Sequence, residues 1–530
     1  MTPGTTSKAS EQHRGAMSAL DVGALTGRIN GALNRWPTVG LAVGLVRDGR
    51  VEFFHAQGLA DIRSGRPIGD DTVFRIASIT KTFTAVAVMQ LWERGLVDLD
   101  VPVGQYLRAF RVLAPPGVPQ PTVRQLLTHT GGMPEVASPW RALRPDFGES
   151  FPIERPLPTL SEFYGGGLRL EARPGSRFVY GNHGPATLGQ LVEDVTEMPF
   201  SRYIRKQIFV PLGMADSDLE RTEAVRSRLA TGYKVGSHGP RAVREREMVT
   251  AGAASIYSTP RDMARYVAAL LGGGANEYGR ALDPATVDMM FAPHYRPDPR
   301  LPGMGLGFFR ADVGGHQAVE HQGVHPGFDS QIYLLPEERV GVMAFSNGTT
   351  NGSLWLPTLC AGLLATSIGA TVAAVRTDVP QHPEIWDEVC GWYRLDAARS
   401  DVRLRAMLGA GIEIVVREGR LTLRFLTPIP QLYRGLSLHP DDPADPYSFR
   451  IDMSAFGMGS SKVVFSRNAD GRSRLHLDLM PLSLDRQSAA SNPRWLLAGA
   501  LGTAGLLGAL SIARRRTKLG TPSHPTARPR

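Results

Sequence analysis

The chain predicts an α/β (α+β) domain, a small antiparallel β domain after it, and a C-terminal transmembrane helix. Three observations carry this. Two strand-like runs near the start and three near residue 330 enclose a long helical stretch, so the sheet must join distant parts of the chain. Beyond residue 383 the apolar period changes from helical to two. Residues 495–513 are 19 positions without a charge, followed by Arg514-Arg515-Arg516. At 530 residues the chain is several times the usual domain length of about 100–150, which leaves room for more than one domain.

Residues 1–20 are polar, small and aperiodic, and they lack the charged start and apolar run of a secretory signal; a disordered lead-in is expected. The first domain is placed at 21–375. Val22, Leu25, Ile29, Leu33 and Trp36 recur at helical spacing. The runs 39–46 and 51–56 flank Asp48-Gly49, a strong hairpin signal. Helical patterns dominate from about 78 to 270, and strand patterns return at 318–320, 329–335 and 340–345. Residues 354–375 are 22 positions without a charge, but Pro357, several Ser/Thr and the absence of a flanking basic cluster favour a buried helix packed on the sheet. A linker is expected at 376–383, where two prolines interrupt any apolar period. From 384 to 488 alternation such as Leu421, Leu423, Phe425 and Leu475, Leu477, Leu479 predicts the antiparallel β domain, with Cys390-Gly391-Trp392-Tyr393 in its first strand.

As a helix, 495–513 would be about 28 Å long against a hydrocarbon core of about 30 Å. Trp495 at one end and the arginines at the other fit an interfacial anchor and the positive-inside rule, which places the 514–530 tail in the cytoplasm and the two domains outside a cell membrane crossed once. A tail anchor with its bulk in the cytoplasm is the alternative topology, since the missing signal favours it. Ala500, Ala504 and Gly508 allow helix–helix self-association. The tail also explains the charge. The net value is +9, but six basic residues and no acid lie in the last 17 positions, so the other 513 residues carry about +3 and a nucleic-acid partner is not expected. Cys360 and Cys390 form neither a disulfide framework nor a zinc site. The chain has no G-x-S-x-G, Walker A, G-x-G-x-x-G or H-E-x-x-H motif, and Gly184 to Gly189 has P-loop spacing but continues Gln190-Leu191. His321 and His325 are four apart, yet Gly323 and Pro326 disfavour the helix that would make them metal ligands. No metal or cofactor is expected.

The chemistry centres on Ser78-Ile79-Thr80-Lys81, entering an apolar helix. Residues three apart in a first helical turn share a face, so Lys81 can reach the Ser78 hydroxyl. Burial favours a neutral amine, which can take the serine proton. The bland alternative is that Ser78 only caps the helix, although the third position after it is Lys and not the Glu or Gln of a capping box.

With these residues the chain resembles the serine β-lactamase and penicillin-binding-protein superfamily, in the branch of class C β-lactamases, D-aminopeptidases, DD-peptidases and esterases. The resemblance spans about residues 20–365. Besides Ser78-Ile79-Thr80-Lys81 it includes Gly95-Leu96-Val97-Asp98-Leu99-Asp100, Leu126-Leu127-Thr128-His129-Thr130-Gly131-Gly132-Met133, Tyr180-Gly181-Asn182, Pro211-Leu212-Gly213-Met214, Ser258-Thr259-Pro260-Arg261-Asp262 and His321-Gln322-Gly323, in family order. It implies a β-lactamase/transpeptidase-like fold, and the β domain resembles the lipocalin-like barrels appended to some members. It also implies roles: Ser78 as nucleophile, Lys81 and Tyr180 sharing acid/base work, Asn182 orienting the lysine or a substrate amide (or capping the helix that follows), His321 and Gly323 lining the third motif, and the backbone N–H groups of Ser78 and Val324 as oxyanion hole. Histidine replaces the lysine common in that third motif. A permanent cation for a substrate carboxylate is then missing, and weak β-lactamase activity at most is expected. The expected activity is hydrolysis of an ester, amide or peptide bond by a membrane-anchored serine hydrolase. The rivals are a non-catalytic cell-envelope binding protein that keeps the pocket, and a metal-dependent hydrolase.

Overall fold

A computed structural model of the chain describes residues 20–350, 355–372, 374–395, 411–425, 427 and 429–492. The lead-in up to residue 19, the expected membrane helix at 495–513 and the basic tail lie outside the described residues. Helix α1 (Val22–Arg35) runs into the hairpin of β1 (Gly40–Arg47) and β2 (Arg50–Asp61). The turn between the strands holds Asp48 at φ 47° and Gly49 at φ 81°, the doubly left-handed pair that lets a two-residue turn match the strand twist. The two-residue β3 (Arg66–Pro67) pairs with the end of β2.

The remaining strands of this sheet arrive more than 240 residues later: β4 (Phe309–Val313), β5 (His316–His325), β6 (Phe328–Leu335) and β7 (Val340–Ser346). The order is β4-β5-β6-β7-β1-β2-β3, with every neighbouring pair antiparallel. Every residue of β6 and β7 is buried, which requires cover on both faces. Leu41, Val43 and Leu45 of β1 face α1 and α5 (Trp355–Ser367). The alternate residues Ala42 and Val46 face a larger core built on α2 (Thr80–Glu93) and α4 (Pro260–Leu271), with α3 (His183–Thr196) packed on α2. Helix α5 is the buried helix that the uncharged 354–375 segment predicts. It stops earlier, where Gly369 at φ 70° ends it in a left-handed turn.

Two differences from the sequence reading concern length. The 78–270 stretch is not wholly helical: strands of two to four residues occur at 111–113, 150–152, 167–169, 233–236, 239–242, 246–248 and 257–258, too short to show a period. Strand β5 is longer than the 318–320 core expected, because polar Glu320, His321 and Gln322 interrupt its apolar alternation.

The second sheet has nine strands: β8 (Gly391–Arg394), β9 (Ile412–Arg417), β10 (Arg420–Phe425), β11 (Leu436–Ser437), β12 (His439–Asp442), β13 (Asp445–Asp452), β14 (Ser460–Arg467), β15 (Ser473–Leu477) and β16 (Leu482–Gln487). Their order is β11-β10-β9-β8-β16-β15-β14-β13-β12. The two end strands are separated by Leu438 alone, so the sheet curls into a nearly closed barrel around Tyr393, Ile414, Leu421, Leu423, Phe449 and Phe465. That core continues into the first domain through Phe178 and Met304. Arg300 ties the same junction, donating to Asp298, to the Asp445 carboxylate at 2.9 Å and to the Phe465 carbonyl at 2.7 Å. Among the described residues no helix is long and apolar enough to cross a membrane.

Candidate active site

Helix α2 is buried on all sides from Thr80 through Leu91, with Lys81 and Gln90 among its buried polar side chains. Its entrance is strained: Ala77, fully buried, sits at φ 48°, a left-handed conformation that a residue with a Cβ adopts only when its surroundings hold it there. The short turn Ala77–Ile79 that follows presents Ser78 half-buried. Ser78 is not the helix cap. The cap position is Ile79, and no side chain bonds there.

Strand β5 closes one side of the site. Beyond Glu320 its outer edge has no partner in β4, whose pairing runs only from Val313 to Phe309, so 321–325 forms a local sheet edge beside Ser78. The approach is close enough to dictate a residue. A Cβ on Gly323 would lie 2.1 Å from the Ile76 carbonyl and 2.4 Å from Ser330 Oγ. Ser330 stitches the same contact, donating to Ile76 O at 2.9 Å. Val324 is 57% exposed at this edge.

Lys81, although 2% exposed, is well supplied with acceptors: Nζ donates to Ser78 Oγ at 2.9 Å, Asn182 Oδ1 at 2.9 Å and Ala253 O at 3.1 Å. Such partners offset the cost of burying its charge. Asn182 holds the N-cap position of α3 but makes no side-chain cap; its amide is spent on Lys81 and, through Nδ2 at 2.7 Å, on Glu149. Tyr180 lies on the third side, its ring centroid 4.9 Å from Lys81 Nζ. It packs on His129 (4.7 Å between centroids), Phe309 (5.9 Å) and His321 (6.3 Å). Phe178, two residues earlier, stacks on Tyr295 and enters the barrel core, so the second domain braces the tyrosine segment.

Both histidines of the site are neutral. Burial, aided by the nearby Lys81 charge, pushes His321 down to about 3, and the same two causes hold His129 well below its usual value. His321 Nδ1 lies 2.8 Å from the Gln322 carbonyl. A carbonyl only accepts, so Nδ1 carries the proton and Nε2, buried, is a bare acceptor.

The structure thus brings Ser78, Lys81, Tyr180, Asn182, His321, Gly323 and Val324 together. Missing from the sequence reading as site residues are Glu149, His129 and the Ala253 carbonyl. His129 was visible only inside its motif, and neither Glu149 nor a backbone oxygen carried any spacing signal. His321 and His325 lie on one strand, about 13 Å apart at strand rise, too far to share a metal. Among the described residues no cluster of three or more His, Cys, Asp or Glu could hold a metal ion. Gly184 and Gly189 fall inside α3, where Gly189 allows close packing on Gly252.

A serine–lysine pair at the mouth of a buried helix, faced by a sheet edge and a Tyr-x-Asn segment, defines a serine hydrolase with the fold of β-lactamases and penicillin-binding proteins. Residues 33–355 match the β-lactamase family, and the chain belongs to that family. It is 31% identical over 330 residues to the esterase EstB of Burkholderia gladioli, covering 55% of this chain and 81% of the esterase. It is 24% identical to a β-lactamase of Yersinia enterocolitica, over 58% of this chain and 82% of that enzyme. Among solved structures, an octameric penicillin-binding-protein homologue from Pyrococcus abyssi shares the fold over 88% of this chain and all of its own, with TM-score 0.56 and 24% identity. The D-amino acid amidase of Ochrobactrum anthropi, complexed with D-phenylalanine, matches 65% of this chain and 98% of its own with TM-score 0.52 and 26% identity.

Proposed function

We propose that this chain is a membrane-anchored serine hydrolase that cleaves an ester, amide or peptide bond lacking a neighbouring carboxylate, through an acyl-enzyme on Ser78. The observation that carries it is the 2.9 Å contact between Ser78 Oγ and the buried Lys81 Nζ. In the first half-reaction Oγ bonds to the substrate carbonyl carbon while its proton passes to the Lys81 amine. The carbonyl oxygen becomes an oxyanion, held by the backbone N–H groups of Ser78 and Val324, each worth about 3 kcal/mol in comparable sites. Collapse breaks the bond to the leaving alcohol or amine, which takes up the proton by way of Lys81 and Tyr180. Water then repeats the sequence on the acyl-enzyme and releases the acid.

The substrate class follows from His321. A neutral imidazole with a bare Nε2 offers neither a cation nor a donor to a carboxylate, so free-acid substrates such as penicillins would lose the contact that a lysine supplies. The similarity to an esterase and to an amidase supports the same direction. Membrane attachment is proposed from the uncharged segment 495–513 and its arginine flank. The experiment is a comparison of paired substrates, each a free acid and its methyl ester or amide. The neutral member is expected to react at least about tenfold faster, the equivalent of one lost hydrogen bond. Equal or faster reaction of the free acids would contradict the assignment.

A further inference from the structure

Glu149 belongs to none of the motifs, yet it lies 1% exposed directly behind the lysine's partner. One carboxylate oxygen accepts from Asn182 Nδ2 at 2.7 Å and from the Thr250 hydroxyl at 3.4 Å. The other lies 3.6 Å from His183 Nε2, and His183 Nδ1 is in turn 2.9 Å from the Tyr164 hydroxyl. A carboxylate only accepts, so its bond to Nδ2 fixes the Asn182 amide with Oδ1 toward Lys81. That oxygen and the Ala253 carbonyl are acceptors 2.9 and 3.1 Å from Nζ. The resting ammonium also donates to Ser78 Oγ; once deprotonated to act as base, the Lys81 amine has two N–H bonds and one lone pair. With its N–H bonds directed at those two oxygens, the lone pair is left for the side of the nitrogen where Ser78 Oγ lies, 2.9 Å away.

We propose that Glu149 is a positioning residue which, through Asn182, aims the lone pair of Lys81 at the Ser78 hydroxyl. The inference rests on the assignment of Lys81 as base made above. Were the amide reversed, Nδ2 would present an N–H to the amine, which would meet it with the lone pair and turn the base away from the nucleophile. The charged and titratable groups around the pair are His183, Tyr164 and Arg141 on the Glu149 side, and Tyr180, His129 and His321 on the Lys81 side.

Glu149→Gln keeps the volume, removes the charge and leaves the Asn182 amide able to turn either way. With a p-nitrophenyl acyl ester, kcat is expected to fall about 100-fold, the lower end of what a misdirected general base forfeits, with KM little changed. The acid limb of kcat/KM moves to lower pH, because loss of the anion eases deprotonation of the lysine. In an Asn182→Ala background the same substitution changes kcat by less than about threefold, as expected of residues acting in one chain. An unchanged kcat and pH profile, or a loss that multiplies in the Asn182→Ala background, overturns the inference. If Glu149→Gln does not accumulate as folded protein, Glu149→Asp keeps the charge and withdraws it by about 1.5 Å. It should lower kcat without moving the acid limb, and an unaltered kcat again overturns the inference. Ser78→Ala separates the two levels: turnover that survives it removes the base assignment itself, whereas turnover lost in Ser78→Ala but intact in Glu149→Gln removes only the role of Glu149.

Discussion

Replacing Lys81 by methionine removes the amine and keeps most of the side-chain volume. The base is expected to account for about 10²–10⁴ in kcat, or roughly 3–5.5 kcal/mol of barrier. Stability should respond differently. The Asn182 Oδ1 and Ala253 O acceptors lose their donor, at about 1–3 kcal/mol each. Against this, the variant no longer buries an ammonium in a site 2% exposed, a penalty of several kcal/mol in the parent. The two contributions offset to within about 2 kcal/mol, which for a domain this large corresponds to a shift in Tm of only a few degrees. The assay is single-turnover acylation by a p-nitrophenyl ester alongside thermal unfolding of the same preparation. Acylation within about tenfold of the parent, in a variant with near-parent Tm, would refute the assignment of Lys81 as base.

Other predictions test the frame around that pair. Gly323→Ala forces a Cβ to within 2.1 Å of the Ile76 carbonyl, so β5 must move from the nucleophile turn; a loss of about 1–3 kcal/mol in stability together with slower acylation is expected in denaturant titration and kinetics. Burial, aided by the Lys81 charge, pushes His321 down to about 3 in the folded chain, from about 6.5 for a free imidazole. Between those values the unfolded chain binds the proton and the folded chain does not, so this residue's contribution to stability declines as pH falls from about 6.5 toward 3. The Tm difference between parent and His321→Gln should therefore shift against the parent over that window, and a difference independent of pH would contradict the buried, neutral imidazole.

Much of this architecture is legible in the sequence because short-range rules govern it. The Asp48-Gly49 turn announces its hairpin, the Ser78/Lys81 spacing announces a shared helical face, and the alternation in 420–425 announces a barrel strand. What escapes has a physical reason in each case. Glu149 reaches Asn182 across 33 positions that hold only short elements, so no period or spacing marks it. Strand β5 is masked by its own chemistry, since polar side chains occupy the edge that faces the site. Asn182 is a sound capping residue by type, yet a buried lysine competes for its amide and wins. The bracing of Tyr180 by the second domain depends on Phe178 and Arg300 meeting residues more than 140 positions away, a tertiary contact that composition and period do not encode.

The proposed mechanism depends on Ser78 as the nucleophile of an acyl-enzyme. Intact-mass analysis of the folded protein after exposure to a fluorophosphonate tests it most directly. One phosphonyl group per chain is expected, located on Ser78 by peptide mapping and absent from both Ser78→Ala and the Lys81→Met variant at short times. Folded protein that stays unlabelled, or that is labelled equally in Ser78→Ala, would contradict it.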